Sequence, residues 1–177
     1  VEPHDSVERY TNLGVDVIEG EAKITSPYMV EVNGKTLTTR NIVIATGARP
    51  FVPDLPGIEE VGYLTSDTVW NLRERPKRLL VLGGGPIGSE LAQSFARRGS
   101  QVIQVERGER IMAREDEDVS NAVMQRFKED GIDVRTEHNA KAFSIENGEK
   151  VLICEHNGQE VHIPFDQVLI ALGRIAN

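Results

Sequence analysis

The sequence has few of the residues that mark a disulfide-stabilised, metal-bound or membrane protein. Among its 177 residues there is one cysteine, Cys154, which excludes an internal disulfide, a cysteine-based zinc site and a dithiol redox centre within this chain. No apolar run approaches the roughly 18 residues that predict a membrane helix, and residues 1–5 have no signal-peptide character. These absences predict a soluble, cytoplasmic protein.

Positive charge is also scarce. Lys and Arg number 20 against 28 Asp and Glu, which gives a net charge of -8 and a pI near 5.1. The counterion release that holds proteins on nucleic acids or anionic membranes therefore has no basic surface to act through. We expect neither a nucleic acid nor a membrane as partner.

Several catalytic and metal-binding patterns are missing as well. There is no Gly-x-Ser-x-Gly elbow and no P-loop lysine, so the residues central to serine hydrolases and nucleoside triphosphatases are absent. Cys154 and His156 fall on one face of a predicted strand, and without a further ligand nearby we interpret them as ordinary strand packing. The other histidines, His4, His138 and His162, have no patterned partners.

The chain contains an internal echo. Residues 7–17 match residues 124–134 without a gap, as a helix end, a glycine stop and a strand start. Residues 41–49 echo residues 167–174, as an apolar strand running into a glycine. Both copies carry an Asn-Gly hairpin dipeptide in between. We interpret the chain as two related domains, residues 1–53 and 54–177.

A glycine-rich loop precedes the helix of the second copy. An apolar run at residues 78–82, of the type found in buried parallel strands, enters the loop at residues 83–88, and a helix follows that stops at Gly99. Residues 101–105 then form a second strand that ends in Glu106, 18 residues after the loop. This order of strand, glycine loop, helix, strand and acid is typical of dinucleotide binding.

Each loop glycine has a predicted task. Gly83 allows the tight turn, Gly85 lets the backbone approach a pyrophosphate, and Gly88 lets helix and strand pack closely. The anion would sit at the helix N-terminus, where unpaired amides and the helix dipole favour negative charge. Glu106 would accept hydrogen bonds from the adenosine ribose.

The choice between NADH and NADPH depends on the residues that follow. Glu106 favours NADH, because it can bind the 2′-hydroxyl and repel a 2′-phosphate, whereas Arg107 or Arg110 could clamp that phosphate. The other interpretation of both arginines is a solvated loop. We therefore expect NADH to be preferred.

The remaining pattern completes an α/β fold. Asp116 or Asp118 would cap the next helix, and Ser66 would cap a short helix anchored by Trp70. We expect a Rossmann-like FAD/NAD(P)-binding fold: a parallel sheet with helices, in which an antiparallel β-meander replaces the last crossover helix. The third strand, meander and final strand are predicted at residues 133–136, 140–165 and 167–172.

At this point the residues resemble a known family. Residues 83–90, the Val105-Glu106 pair, and the stretches 44–50 and 171–177 are similar to class I pyridine nucleotide-disulfide oxidoreductases. That family includes dihydrolipoamide dehydrogenase, glutathione reductase and mercuric reductase. The resemblance implies an NAD(P)H domain inserted in an FAD domain of related fold, which the echo indicates independently.

The resemblance also implies roles for individual residues. Glu90 matches a position near the nicotinamide and flavin, and is the one catalytic candidate; its alternative is an exposed first-turn carboxylate favoured by the helix dipole. The turn that would contact FAD in the parent enzyme consists of Ala45, Thr46 and Gly47. The residues that would bind NAD(P)H are Gly83, Gly85, Pro86, Ile87, Gly88, Glu90, Glu106, Arg107 and Gly173.

The departures from the family pattern are large. An earlier FAD glycine fingerprint, a redox-active cysteine pair and a C-terminal interface domain with a catalytic His and Glu are not found. We therefore expect a fragment of a longer, homodimeric enzyme that transfers hydride between nicotinamide C4 and flavin N5. The fragment itself would be monomeric, would bind FAD poorly and would not turn over.

Two other interpretations stay open. One is a free-standing NAD(H)-sensing module that regulates a partner without a flavin. The other is a complete small dehydrogenase, which should show a catalytic His or a Tyr-Lys arrangement. The first 53 residues argue against a sensor, because a sensor has no need of a partial second copy.

Overall fold

In the computed structural model, which describes residues 6–177, the chain divides between Thr46 and Gly47 into two units. His4 and the rest of residues 1–5 lie outside the described residues. The structural division lies seven residues before the domain boundary predicted at residue 53, and the assignment of the two domains stays a prediction.

The first unit contains a short helix and a small antiparallel sheet. Helix α1 (Val7–Asn12) is capped by Ser6, whose hydroxyl oxygen accepts a hydrogen bond from the amide of Arg9 at 3.2 Å. Three strands follow in the order β1-β2-β3. Their bounds are Ala22–Ser26 (β1), Met29–Val32 (β2) and Lys35–Thr38 (β3). The predicted hairpin at Asn33 and Gly34 is confirmed, because both residues have positive φ, 51° and 73°.

Two strands predicted for the first unit are wrong. Residues 15–17 and 41–46 have no strand structure, and within the apolar stretch Val43 is 88% exposed and Ile44 70%. A strand needs a neighbour to bond its backbone, and among the described strands none pairs with either stretch.

The second unit is built on a parallel sheet covered on both faces. Its four parallel strands lie in the order β11-β5-β6-β7, and an antiparallel meander β8-β9-β10 and a two-stranded ribbon β4-β12 complete it. The strands are Ala48–Pro50 (β4), Arg78–Leu82 (β5), Gln101–Val105 (β6), Asp133–Arg135 (β7), Asn139–Glu146 (β8), Glu149–His156 (β9), Gln159–Phe165 (β10), Gln167–Ile170 (β11) and Arg174–Ala176 (β12). The helices are Ile58–Val61 (α2), Pro86–Arg97 (α3) and Glu117–Glu129 (α4), with a single 3-10 turn at Val69–Asn71. This α/β architecture, meander included, confirms the predicted fold class.

Alternation along β5 separates two layers of core. Leu79 and Val81 pack with residues of α3 and α4, whereas Leu80 and Leu82 pack against the meander. All four are at most 3% exposed. A parallel strand covered on both faces is expected to be continuously apolar, as this one is.

An ion-pair network fixes where β5 and β11 begin. The backbone amide and the guanidinium of Arg78 donate to the Asp166 carboxylate at 2.7–2.9 Å, and the same guanidinium reaches Glu149 at 2.9 Å. Partial burial acts to raise the pKa of Asp166, but the hydrogen bonds from Arg78 outweigh it and lower that pKa below its ordinary value. The carboxylate is therefore held ionised at the start of β11.

The short connection before β5 differs from the prediction. Trp70 is 70% exposed, so it does not anchor this segment, and its indole N–H donates to the Ser66 carbonyl at 2.7 Å. The buried residue is Val69, which is 4% exposed. Ser66 is not the cap; the turn follows Thr68, whose hydroxyl accepts from the amide of Thr65 at 2.9 Å. A large aromatic predicted a buried anchor here, but the smaller β-branched neighbour faces the core.

Helix α4 follows the prediction more closely. Asp116 is the residue before its first turn, although the aspartate side chain makes no capping bond, and the chain leaves the helix at Gly131 with φ 74°. Among the described residues no helix is long and apolar enough to cross a membrane.

Candidate dinucleotide-binding site

The carboxyl ends of the parallel strands bring the predicted site residues to one edge of the sheet. Gly173 follows β11, the glycine loop follows β5, Glu106 follows β6, and residues 136–138 follow β7. Because the strands lie in the order β11-β5-β6-β7, these four segments lie side by side along the edge in the same order. Ligands of open α/β sheets bind at this edge.

A cavity of about 740 Å³ lies along the same edge. Its wall combines the glycine loop, the connection after β6, the start of β8, the segment after β11 and the segment that begins at Pro50 of β4. The lining residues are Pro50, Phe51, Pro53, Leu55, Ser66, Leu82, Gly83, Gly84, Gly85, Pro86, Ile87, Val105, Glu106, Arg107, Arg110, Met112, Ala113, Arg114, Glu115, His138, Asn139, Ala140, Ile170, Ala171, Leu172 and Gly173. The volume is in the range of sites for small ligands and cofactors.

The three motif glycines differ in how much space a side chain would have at each position. A Cβ on Gly83, whose φ is 119°, would lie 2.3 Å from the Ala171 carbonyl oxygen, and one on Gly88 would lie 2.5 Å from the Gly83 carbonyl oxygen. Gly85 has no atom within 4 Å of its Cβ position. Gly83 and Gly88 are thus required by packing, whereas the missing side chain of Gly85 leaves space at the cavity wall.

The N-terminus of α3 opens at this space. Pro86 is the first residue of the 12-residue helix, and the first helical bond runs from the amide of Ser89 to the carbonyl of Gly85 at 3.0 Å. The preceding amides of Ile87 and Gly88 have no helical acceptor. These amides and the positive end of the helix dipole suit a pyrophosphate.

Glu106 ties the glycine loop to the next connection. One carboxylate oxygen accepts from the amide of Gly84 at 2.7 Å and the other from the amide of Gly108 at 2.8 Å. Each oxygen retains a lone pair, so the carboxylate is held in place and can still accept hydrogen bonds from a ribose.

The two arginines after Glu106 differ in how they are held. Arg110 donates to the carbonyls of Ala113 and Glu115 at 3.2 and 3.1 Å, which fixes it within its own loop. Arg107 is exposed and lines the cavity. Of the two, Arg107 is the one whose guanidinium is available to a phosphate.

The other predicted site residues are spread out. Gly173 lines the cavity, and its carbonyl accepts from the amide of Phe51 at 2.9 Å. Glu90 is exposed but lies beyond the first turn of α3, which contains no acidic residue, so the first-turn alternative for it is wrong; it is not among the described lining residues. Ala45, Thr46 and Gly47 are exposed as well.

Sequence reasoning missed Gln104, which supports the glycine loop from behind. The side chain is fully buried, and its Nε2 donates to the Gly83 carbonyl at 2.9 Å and lies 3.3 Å from the Ser89 hydroxyl. Its Oε1 has no hydrogen-bond partner among the described residues. A glutamine inside the apolar run of β6 was the available signal, because buried polar side chains are expected to be bonded.

The histidines have partners that the sequence did not predict. His138 and His156 stack with ring centroids 4.1 Å apart and planes 14° apart. His162 lies between the carboxylates of Glu160 and Glu146, at 2.8 and 3.0 Å, and its hydrogen bonds to both raise its pKa. The sequence showed no patterned partners for His138 and His162, and the structure gives both of them partners. The contacts of His138 with His156 and of His162 with Glu146 join residues far apart in sequence, which no local pattern reveals. Glu160, in contrast, lies two residues before His162 on the same strand, β10.

Cys154 is part of the core between the meander and the sheet. It is fully buried, and burial raises the pKa of its thiol to about 11. Among the described residues no group of three or more His, Cys, Asp or Glu side chains could hold a metal ion.

Together these features define a class of protein. A parallel sheet with a glycine loop leading into a helix, and an acid after the next strand, is the Rossmann-like arrangement of α/β proteins. Comparison with known proteins identifies the family. The family model described as "Pyridine nucleotide-disulphide oxidoreductase" matches residues 3–177, and the chain belongs to this family, whose members depend on FAD and NAD(P).

Similar curated proteins are oxidoreductases. The chain is 40% identical to a mercuric reductase of Staphylococcus aureus over 98% of its length, and 39% identical to a dihydrolipoyl dehydrogenase of Mycoplasma genitalium over 92%. It spans 31% and 36% of these relatives, about a third of their length. Among solved structures, the HOCl-induced flavoprotein disulfide reductase RclA from Escherichia coli has a TM-score of 0.73 and 32% identity, over 94% of this chain and 39% of that one.

Proposed function

We propose that this chain is the NAD(P)H-binding portion of a flavin-dependent disulfide oxidoreductase and that it prefers NADH. The observation that carries the proposal is the open space at Gly85. A cavity meets the N-terminus of α3 there, within reach of the Glu106 carboxylate.

The order of segments along the sheet edge matches the order of groups in a dinucleotide. The amides of Ile87 and Gly88 would hold the pyrophosphate, with Pro86 setting the helix start. Glu106 would hold the adenosine ribose, and Gly173 would lie at the nicotinamide end. When bound, the nicotinamide supplies the hydride that the flavin of the whole enzyme exchanges; these residues supply orientation.

The preference for NADH follows from charge at the ribose position. The Glu106 carboxylate is fixed by two amide donors, so it cannot easily turn away from a 2′-phosphate. Arg107 offers a compensating positive charge, but it is exposed and solvated, where an ion pair is worth about 0–1 kcal/mol. Repulsion by the carboxylate therefore outweighs attraction by the arginine.

The roles of the remaining candidates belong to the whole enzyme. Glu90 would act near the nicotinamide and flavin, and Ala45, Thr46 and Gly47 would contact FAD. Both require the flavin to be held by the full-length protein, a homodimer in this proposal. The chain alone is expected to bind NADH and to reduce no disulfide.

The test is NADH binding by variants at residue 106. Glu106→Ala should weaken NADH binding about 10-fold or more, since a charge-assisted hydrogen bond contributes about 1.5–3 kcal/mol, and should bring the NADPH and NADH affinities closer together. Glu109→Ala is the matched control, because Glu109 is an exposed acid of the same loop outside the cavity lining. Its affinity should stay within about twofold of the parent chain.

A second variant guards against a purely structural effect. Because Glu106 also holds the amides of Gly84 and Gly108, its removal can loosen the loop. Gly85→Ala leaves those bonds in place and fills the space at the cavity wall, so it should weaken NADH binding with little change in melting temperature. Unchanged NADH affinity in both Gly85→Ala and Glu106→Ala would overturn the proposal.

A further inference from the structure

The stacked histidines lie where the dinucleotide-binding edge continues beyond Glu106. His138 follows β7, the strand next to β6, and its amide donates to the Glu106 carbonyl at 3.0 Å. Neighbouring strands are spaced about 4.8 Å apart. His138 therefore occupies the next position along the edge after the acid, on the side away from the glycine loop.

The order of groups in the ligand predicts which of them lies beside His138. In a dinucleotide the chain of groups runs from pyrophosphate to ribose to base, and the proposed function places the first two at the glycine loop and Glu106. The third group lies one step further, at the end of β7. His138, Asn139 and Ala140 line the cavity at this end.

His138 is held rigidly by its neighbours. His156 covers one face of its ring, 4.1 Å away, and its Nδ1 lies 2.6 Å from the Thr136 carbonyl. The backing ring is fixed in turn, with its Nδ1 3.1 Å from the Glu137 carbonyl and its Nε2 2.9 Å from the Asn157 amide. A ring fixed in this way loses little conformational entropy when a second ring packs on it.

The hydrogen bonds also fix what His138 can offer. A carbonyl oxygen only accepts, so the Nδ1 of His138 carries a proton, and in the tautomer that this bond selects Nε2 is the acceptor. Among the described residues no group hydrogen-bonds this Nε2. His138 lines the cavity and thus offers it an acceptor and the ring face that His156 does not cover, which suit a purine bearing an exocyclic amine.

From this we infer that His138, backed by His156, is the residue that contacts the adenine base and contributes to selection for an adenine dinucleotide. The inference rests on the proposed function and assigns it a base-contacting residue. The alternative ligand group at this position, the 2′-phosphate of NADPH, becomes an outcome of the test.

The test compares ligands that contain adenine with one that lacks it. NADH, NADPH, ADP-ribose and reduced nicotinamide mononucleotide are titrated against the parent chain and against His138→Ala, His138→Phe and His156→Ala. His138→Ala should weaken NADH and ADP-ribose about 10-fold, as loss of base stacking on an aromatic side chain does, and leave the mononucleotide unchanged. His138→Phe should keep most of the affinity, and His156→Ala should show an intermediate loss.

The control is His162→Ala, which removes a histidine outside the cavity lining. It should change no affinity, and melting temperatures of all variants show whether each is folded. An equal loss for NADH and the mononucleotide, or no loss for either, would overturn the inference. So would a loss confined to NADPH. If the parent chain itself binds none of these ligands, the proposed function fails instead.

Discussion

Two stretches with nearly the same sequence pattern have opposite structures. Residues 41–47 and 167–173 both run as an apolar segment into a glycine. In the second, β11 pairs in parallel with β5, and Ile170 is 1% exposed; in the first, no strand forms, and Ile44 is 70% exposed. An apolar run that ends in a glycine is therefore compatible with a buried strand. Whether the strand forms depends on a neighbouring strand that pairs with it.

The largest effect is expected from a matched pair of substitutions, one in each of the two stretches. Ile170→Ala should lower the free energy of unfolding by about 2–5 kcal/mol, because it leaves a cavity in the core. Ile44→Ala, at the equivalent position of the first stretch, should change it by no more than about 0.5 kcal/mol. Urea denaturation followed by circular dichroism measures both. Equal losses would mean that Ile44 is buried in solution.

The next test asks whether the loop beside β11 depends on its buried glutamine. Gln104→Leu removes the donor to the Gly83 carbonyl, and an unsatisfied buried carbonyl costs about 1–3 kcal/mol. The same substitution removes the unpaired Oε1 of Gln104, which offsets part of this cost in stability. We expect a lower melting temperature and weaker NADH binding. A Gln101→Leu variant, at an exposed position of the same strand, is the control and should change neither.

A smaller effect on stability is expected at Asp166, the residue immediately before β11. Asp166 has a lowered pKa, so its contribution to stability is present above the pKa of the unfolded carboxyl, about 3.9, and is lost as pH falls through the folded value. Asp166→Asn should cost about 1 kcal/mol near pH 7, given partial exposure, and less near pH 3. Arg40→Asn, the equivalent position before residues 41–46, should show no such pH dependence.

The smallest effect is expected on the surface of the meander. The pKa of His162 is raised by hydrogen bonds to Glu160 and Glu146, so this contribution is fully present below the unfolded pKa, about 6.5, and is lost as pH rises through the folded value. His162→Gln should therefore lower the melting temperature slightly at pH 5.5 and leave it unchanged at pH 9. A constant difference at both values would show that the charge on His162 is not involved.

Prediction from sequence succeeded where the determinants are local. The glycine loop, helix α3 and the acid after β6 lie within 24 consecutive residues, 83–106, and each signal, such as Pro86 at the helix start, acts on its own neighbours. The Asn-Gly hairpins are equally local, because both residues favour positive φ.

Prediction failed where a partner distant in sequence decides. The stack of His138 on His156 joins the residue before β8 to the end of β9, and the contact of Gln104 with the Gly83 carbonyl depends on which face of β6 meets α3. Trp70 has the size of a core anchor, yet Val69 is buried in its place. In each case tertiary packing, rather than residue type, determines the outcome.

The central claim is that this chain holds a nicotinamide dinucleotide at the carboxyl edge of its parallel sheet. A calorimetric titration of the chain with NADH, NADPH and FAD in parallel, at one salt concentration, tests it most directly. The account predicts saturable binding of one NADH per chain, weaker binding of NADPH and no tight binding of FAD. Tight FAD binding without nicotinamide binding, or no nicotinamide binding at all, would contradict it.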